Sequence, residues 1–129
     1  MTTTVRWVAA LTIAIVLIQA FLIGQALYIG DASRFALHGY LGNVSFIGAV
    51  VLAGLLVLAH RRGEVTRTAM ALGILVAVLM IAQIGLGYSG RAGGWPAALH
   101  IPNGVLVAAL LTALLTVALL PSRADQSRP

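Results

Sequence analysis

One stretch opens the second of four long apolar runs in this chain: Arg34-Phe35-Ala36-Leu37-His38-Gly39-Tyr40-Leu41-Gly42-Asn43. A related stretch opens the fourth run: Ala98-Leu99-His100-Ile101-Pro102-Asn103-Gly104. Each contains Ala-Leu-His, and a glycine follows four residues after the histidine. A polar ring is costly inside a membrane segment, so such a histidine marks a functional site by default. His38 and His100 are therefore the central candidate residues.

The composition indicates a membrane protein. Of 129 residues, 60% are hydrophobic and only 9% are charged, whereas soluble domains average about 25% charged residues. The net charge of +5 does not indicate nucleic-acid binding, because the arginines lie at the ends of the apolar runs rather than in one patch. The absence of cysteine excludes disulfides and thiolate metal sites.

The charged residues delimit four uncharged runs, and each is longer than the roughly 20 residues that cross a bilayer as a helix. We predict an all-α membrane protein with a single transmembrane domain over residues 1–129 and a short polar cytoplasmic tail at 121–129. The helices are expected at about 7–29, 35–59, 68–89 and 96–120. Their short connections favour an up-down-up-down bundle. Ser33 is the expected N-cap of the second helix.

The two halves of the chain resemble each other. Besides the two Ala-Leu-His copies, Ile23-Gly24 precedes Tyr28, and Ile84-Gly85 precedes Tyr88. These matches predict a duplicated helical hairpin.

The arginines also predict an orientation. Six of them lie at the two termini and in the loop between the second and third helices, and only Arg34 and Arg91 lie at the opposite ends of the helices. The positive-inside rule then places both termini in the cytoplasm of a multi-pass protein, which we assign to a bacterial cell membrane. His38 and His100 would lie near the outer face, and His60 at the inner one.

The spacing of the helices leads to a cofactor hypothesis. The second and fourth helices are diagonal neighbours in a square bundle, roughly 12–14 Å apart. That distance suits two imidazoles with an iron between them, so we predict haem b with His38 and His100 as its axial metal ligands. Gly42 and Gly104 would clear space for the flat macrocycle. The alternative is that these glycines only allow helices to pack closely.

Four more residues complete the predicted cofactor site. Arg34 and Arg91 would bind the haem propionates, because arginine binds carboxylates in a bidentate manner. The alternative is that both are ordinary interfacial arginines. Gln25 and Gln83 are candidates for contacts to a propionate or to a histidine, or else they hydrogen-bond between helices.

This pattern of four helices and two histidines resembles one half of heme A synthase. That family has two such halves, each with a histidine pair on its second and fourth helices. The resemblance implies haem binding at His38 and His100. Synthase activity is not expected, because the chain has one half only, carries Arg34 one turn before His38 in place of the family's acidic residue, and lacks the cysteine pair of some members. Cytochrome b561-type proteins share the architecture more loosely.

The sequence leaves three functions open. The first is a small b-type cytochrome-like protein for electron transfer or haem handling. Enzymatic activity is left open, and an enzyme of this kind would be a membrane oxidoreductase. Its partner would be a redox protein, a larger membrane complex or a second copy. The second is a cofactor-free accessory subunit or small-solute carrier. The third is a quinone-binding protein with histidine and glutamine as hydrogen-bond donors.

Overall fold

The computed structural model describes residues 2–119, which form four helices. They are α1 (Thr2–Ile29), α2 (Ala32–Arg61), α3 (Arg67–Ser89) and α4 (Trp95–Leu119), with a short 3₁₀ turn at Gly90–Ala92 before α4. Residues 2–119 contain no β-strand, so the predicted all-α four-helix fold is confirmed. The predicted end of the fourth helix at 120 and the polar tail at 121–129 lie outside the described residues.

All four helices are long and apolar enough to cross a membrane. Large apolar side chains are exposed on the outer surface of every one of them, such as Leu11, Phe21, Ile47, Val78 and Leu106. Such a surface is stable in lipid and would not be in water. The chain is therefore an integral, multi-pass membrane protein whose outer surface contacts the bilayer.

The helices form a square bundle. Helix α1 packs against α2 and α4, and α3 packs against the same two helices, whereas the backbones of neither diagonal pair come close to each other among residues 2–119. As predicted, α2 and α4 face each other across the interior. We call the end with the α1–α2 and α3–α4 connections the hairpin end. The end with residue 2, residue 119 and the α2–α3 loop is the terminal end.

Apolar packing is concentrated in the terminal half of the bundle. The buried cluster has members from all four helices: Val5, Ala9, Ala49, Leu52, Leu56, Ala69, Val76, Met80, Val107, Leu111 and Leu114. Small residues allow the close approach that membrane helices need. A Cβ at Gly48 would lie 2.8 Å from the hydroxyl of Thr12, so α1 and α2 meet there without space for a larger residue. The hairpin half lacks such a cluster among the described residues and contains the candidate site instead.

The start of α2 differs from the prediction. Its N-cap is Asp31 and not Ser33: the Asp31 carboxylate accepts hydrogen bonds from the Ser33 amide at 2.8 Å and from the Ser33 hydroxyl at 2.7 Å. Helices α1 and α2 also begin before the uncharged runs, at Thr2 and Ala32. The hydrogen bonds of α2 extend beyond the apolar run to Asp31, because a cap rather than hydropathy sets where that helix begins.

Candidate functional site

A cavity of about 670 Å³ occupies the hairpin half of the bundle. Side chains of all four helices line it, and both predicted histidines are among them. The other polar lining residues are Gln19, Gln83, Tyr88 and Arg91, and most of the remaining wall is apolar. Sites for small molecules and cofactors typically have volumes of about 300–1,000 Å³, apolar walls and a few polar groups. The cavity therefore has the size and lining of a cofactor site.

The structure brings His38 of α2 and His100 of α4 together across the bundle. Their ring centroids lie 6.1 Å apart, with 73° between the ring planes. Two imidazoles on opposite sides of one metal ion would have centroids about 6 Å apart, since each metal–nitrogen bond is about 2 Å and each nitrogen is about 1 Å from its ring centre. Edge-to-face ring pairs also fall in this range, so the hydrogen bonds of the rings must distinguish the two arrangements.

Both rings are oriented in the same way, by a backbone carbonyl of the preceding helix. The Nδ1 of His38 lies 3.0 Å from the carbonyl oxygen of Gln19, and the Nδ1 of His100 lies 3.1 Å from the carbonyl oxygen of Gln83. A carbonyl oxygen can only accept, so each Nδ1 carries the hydrogen and donates it. Each Nε2 is then left with its lone pair, as in metal-binding histidines whose other nitrogen is held by a carbonyl.

The two glutamine side chains differ in their partners. The Gln83 amide nitrogen lies 3.2 Å from the Nε2 of His100, and its oxygen accepts a hydrogen bond of 2.6 Å from Asn103. The Gln19 amide instead donates to the buried hydroxyl of Ser45 at 2.8 Å. The predicted contact between Gln83 and a histidine is thus present in the structure, and Gln19 contributes its backbone carbonyl to the matching site.

The two glycines that follow the histidines accommodate these glutamines. A Cβ at Gly42 would lie 3.3 Å from the Gln19 side-chain oxygen, and one at Gly104 would lie 2.9 Å from the Gln83 amide nitrogen. Gly42 also lines the cavity, whereas Gly104 is not among the lining residues. A further glycine, Gly87 of α3, lies close to the His100 ring, since a Cβ added at Gly87 would be 2.9 Å from the Cε1 of that ring.

The two predicted propionate ligands lie in different surroundings. Arg91 lines the cavity, and its guanidinium lies 4.6 Å from the centre of the Tyr88 ring in a cation–π contact. Arg34 is not a lining residue. It forms an ion pair with Asp31 at 3.2 Å and donates to the Gln25 side chain at 2.9 Å. Gln25 is therefore a partner of Arg34 at the hairpin end, and no direct contact with either histidine ring occurs among the described residues.

Besides Gln19, whose carbonyl orients His38, sequence reasoning missed three residues of the site. Asn103 fixes the Gln83 amide, Ser45 binds the Gln19 amide, and Gly87 makes room for the His100 ring. Asn103 carried a usable signal, because a residue three positions after His100 lies on the same helix face. The other two carried none, because small residues are common throughout these helices.

The internal repeat is visible in the site. The set Gln19, His38 and Gly42 in the first hairpin corresponds to Gln83, His100 and Gly104 in the second, with the same carbonyl–imidazole bond in each. The Ile-Gly and Tyr matches do not share this register, because Ile23 follows its glutamine by four residues and Ile84 follows its own by one. The repeat is carried by the polar residues of the site.

The remaining histidine lies elsewhere. His60 is at the terminal end of α2, and its Nδ1 donates to the Val65 carbonyl at 3.2 Å. Among residues 2–119, no group of three or more His, Cys, Asp or Glu side chains is arranged to hold a metal ion. No protein-family model matches this sequence, and neither curated proteins nor solved structures provide a match.

Proposed function

We propose that this protein is a small integral membrane haem protein of the b-type cytochrome kind, with His38 and His100 as axial ligands. The observation that carries the proposal is the shared orientation of the two rings. Both Nδ1 atoms donate to backbone carbonyls, and the two rings lie edge to face, 6.1 Å apart, among the residues that line a cofactor-sized cavity. The resemblance of the helix and histidine pattern to one half of heme A synthase supports the same proposal.

The donor set suits haem better than a bare metal ion. A structural or catalytic zinc site needs three or four protein ligands, and the described part of the chain has no such group. A haem brings its own equatorial nitrogens and needs only axial ligands from the protein. Two imidazoles with lone pairs on Nε2 satisfy that requirement.

The chain's own residues would determine what such a cofactor does. A bis-imidazole haem carries single electrons and has no open position for a substrate. The Gln19 and Gln83 carbonyls fix the tautomer and the orientation of the two rings by accepting their Nδ1 hydrogens. Arg91 contributes positive charge to the cavity wall, where it is suited to a propionate. Electron transfer or haem handling follows as the proposed role.

The hydrogen bonds weigh against the quinone alternative. A quinone oxygen accepts hydrogen bonds, so its site must offer donors. The N–H hydrogens of His38 and His100 are on Nδ1 and are donated to backbone carbonyls, so neither ring has an N–H left to donate to a quinone. The cofactor-free alternative treats the same bonds as links between neighbouring helices, and it predicts that the cavity has no affinity for haem.

A haemin titration separates these functions. We expect the detergent-solubilised protein to bind one haemin per chain and to give the spectrum of a low-spin, six-coordinate b-type centre. Lack of saturable binding would favour the cofactor-free alternative. A high-spin spectrum at saturation would show that the two histidines do not act together.

A further inference from the structure

The two histidines differ at Nε2, the nitrogen available to a metal. Because the Nδ1 of His100 carries the hydrogen, its Nε2 holds a lone pair and accepts a hydrogen bond from the Gln83 amide at 3.2 Å. The Nε2 of His38 has no hydrogen-bond donor among residues 2–119, because the corresponding amide of Gln19 donates to Ser45. The Nε2 lone pair of His100 is thus occupied by the Gln83 amide, whereas the Gln19 amide leaves that of His38 uncovered.

The Gln83 amide is fixed in the orientation that covers His100. Asn103 donates to the Gln83 side-chain oxygen at 2.6 Å and to the Leu79 carbonyl at 3.0 Å. An amide whose oxygen is bound to a donor must direct its nitrogen elsewhere. Gly104 lies so close to that nitrogen that a Cβ there would approach it to 2.9 Å, so the amide rests against α4 beside the ring.

We propose that Gln83 is a positioning residue that competes with the haem iron for the lone pair of His100, so that His38 is the permanent axial ligand and His100 the exchangeable one. This inference rests on the proposed haem site. To hold the iron, the Nε2 lone pair of His100 would have to leave the Gln83 N–H. When His100 is released, the hydrogen bond to Gln83 forms again. No electron or proton is transferred in the exchange.

The test compares two matched glutamine substitutions in the full chain by haemin titration. Gln83→Leu replaces the amide by an apolar group and keeps the backbone carbonyl that binds Nδ1, so the amide donor is removed. We expect its haemin affinity to rise about two- to tenfold, the range that one neutral hydrogen bond corresponds to. Gln25→Leu removes the side-chain amide of a glutamine that does not line the cavity and pairs with Arg34, and it should leave the affinity within a factor of two of wild type.

Two backgrounds show whether the effect acts through His100. In His100→Ala, adding Gln83→Leu should change nothing, because the lone pair that Gln83 covers is gone. In His38→Ala, which binds haem through His100 alone, Gln83→Leu should still raise the affinity. A gain that persists in His100→Ala, or equal affinities for Gln83→Leu and wild type, would overturn the inference while leaving the haem site in place.

A measurement on the haem-free protein keeps the two proposals distinguishable. Nitrogen-15 NMR of the histidine side chains should show Nδ1–H tautomers for both His38 and His100, with a hydrogen-bonded Nε2 in His100 alone. The Gln83→Leu variant should shift the His100 Nε2 signal toward that of His38. A hydrogen on the Nε2 of His100 would overturn the role of Gln83 whatever the titration shows. Normal NMR signals without haemin binding would overturn only the proposed function.

Discussion

Gly87 of α3 lies directly against the imidazole of His100, and a Cβ at this position would be 2.9 Å from Cε1 and 3.3 Å from Nδ1. Real side-chain atoms do not approach so closely, so a larger residue must displace the ring. The same ring is held by the Gln83 carbonyl only one turn earlier in α3. The position of His100 therefore depends on the absence of a side chain at Gly87.

This contact gives the first prediction. Gly87→Ala should move the His100 ring and weaken haemin binding at least about fivefold, since overpacking typically costs about 1–3 kcal/mol. Gly85→Ala is the matched control, because a Cβ there meets no atom within 4 Å. Haemin titration of both variants checks the prediction. Equal haemin affinities of the two variants would mean that the His100 ring can shift without weakening haemin binding.

The second prediction concerns the arginines. Arg91 lines the cavity, whereas Arg34 is engaged by Asp31 and Gln25. Arg91→Gln should weaken haemin binding by up to about fivefold, because exposed charge pairs are individually weak. Arg34→Gln should have a smaller effect. Dissociation of haemin to an acceptor protein measures both, and a larger loss in Arg34→Gln would reassign the propionate partner.

The third prediction is a pH dependence at the start of α2. The Ser33 hydroxyl, followed by the Ser33 amide, donates to Asp31, and together with Arg34 these groups lower the pKa of Asp31 below its ordinary value of 3.8. A carboxyl with a lowered folded-state pKa stabilises the fold above its unfolded pKa, and that contribution is lost as the pH falls through the folded value. The melting temperature of Asp31→Ala should therefore lie below that of wild type at pH 7, and the difference should shrink below about pH 4.

The Ser33→Ala variant provides the control for this prediction. It removes the hydroxyl donor and keeps the carboxyl, so the pKa of Asp31 should move back toward its ordinary value. Carbon-13 NMR of the Asp31 carboxyl measures it directly. An unchanged pKa in Ser33→Ala would assign the shift to other groups.

The fourth prediction concerns orientation in the membrane. An even number of membrane-crossing helices places the start of α1 and the end of α4 on the same side of the membrane, and the distribution of arginine predicts that this side is the cytoplasm. A reporter that is active only in the cytoplasm should therefore be active at either end of the chain. Activity of a periplasmic reporter at both ends of the chain would show the opposite orientation of the same bundle. The His38 and His100 cavity would then open toward the cytoplasm.

The sequence was sufficient to predict the bundle and the pairing of His38 with His100. Uncharged runs of this length have few alternatives in lipid, and short connections make the second and fourth helices diagonal. The sequence was not sufficient to predict that Gln83 covers His100 while Gln19 turns to Ser45. That difference depends on the rotation of each helix and on the direction of a side-chain amide, which Asn103 determines through a contact between α3 and α4. The N-cap at Asp31 was missed because Asp and Ser are both good caps.

The central claim is that His38 and His100 bind one haem, and the absorbance spectrum of the reduced protein tests it most directly. Wild type should show the sharp α and β bands of a low-spin b-type centre. His38→Ala and His100→Ala should each become high-spin or lose haem. His60→Ala should retain the wild-type spectrum, because His60 lies 22 residues further along α2, about 33 Å at 1.5 Å per residue. A colourless wild-type protein after expression with ample haem would contradict the claim, as would loss of the bands in His60→Ala alone.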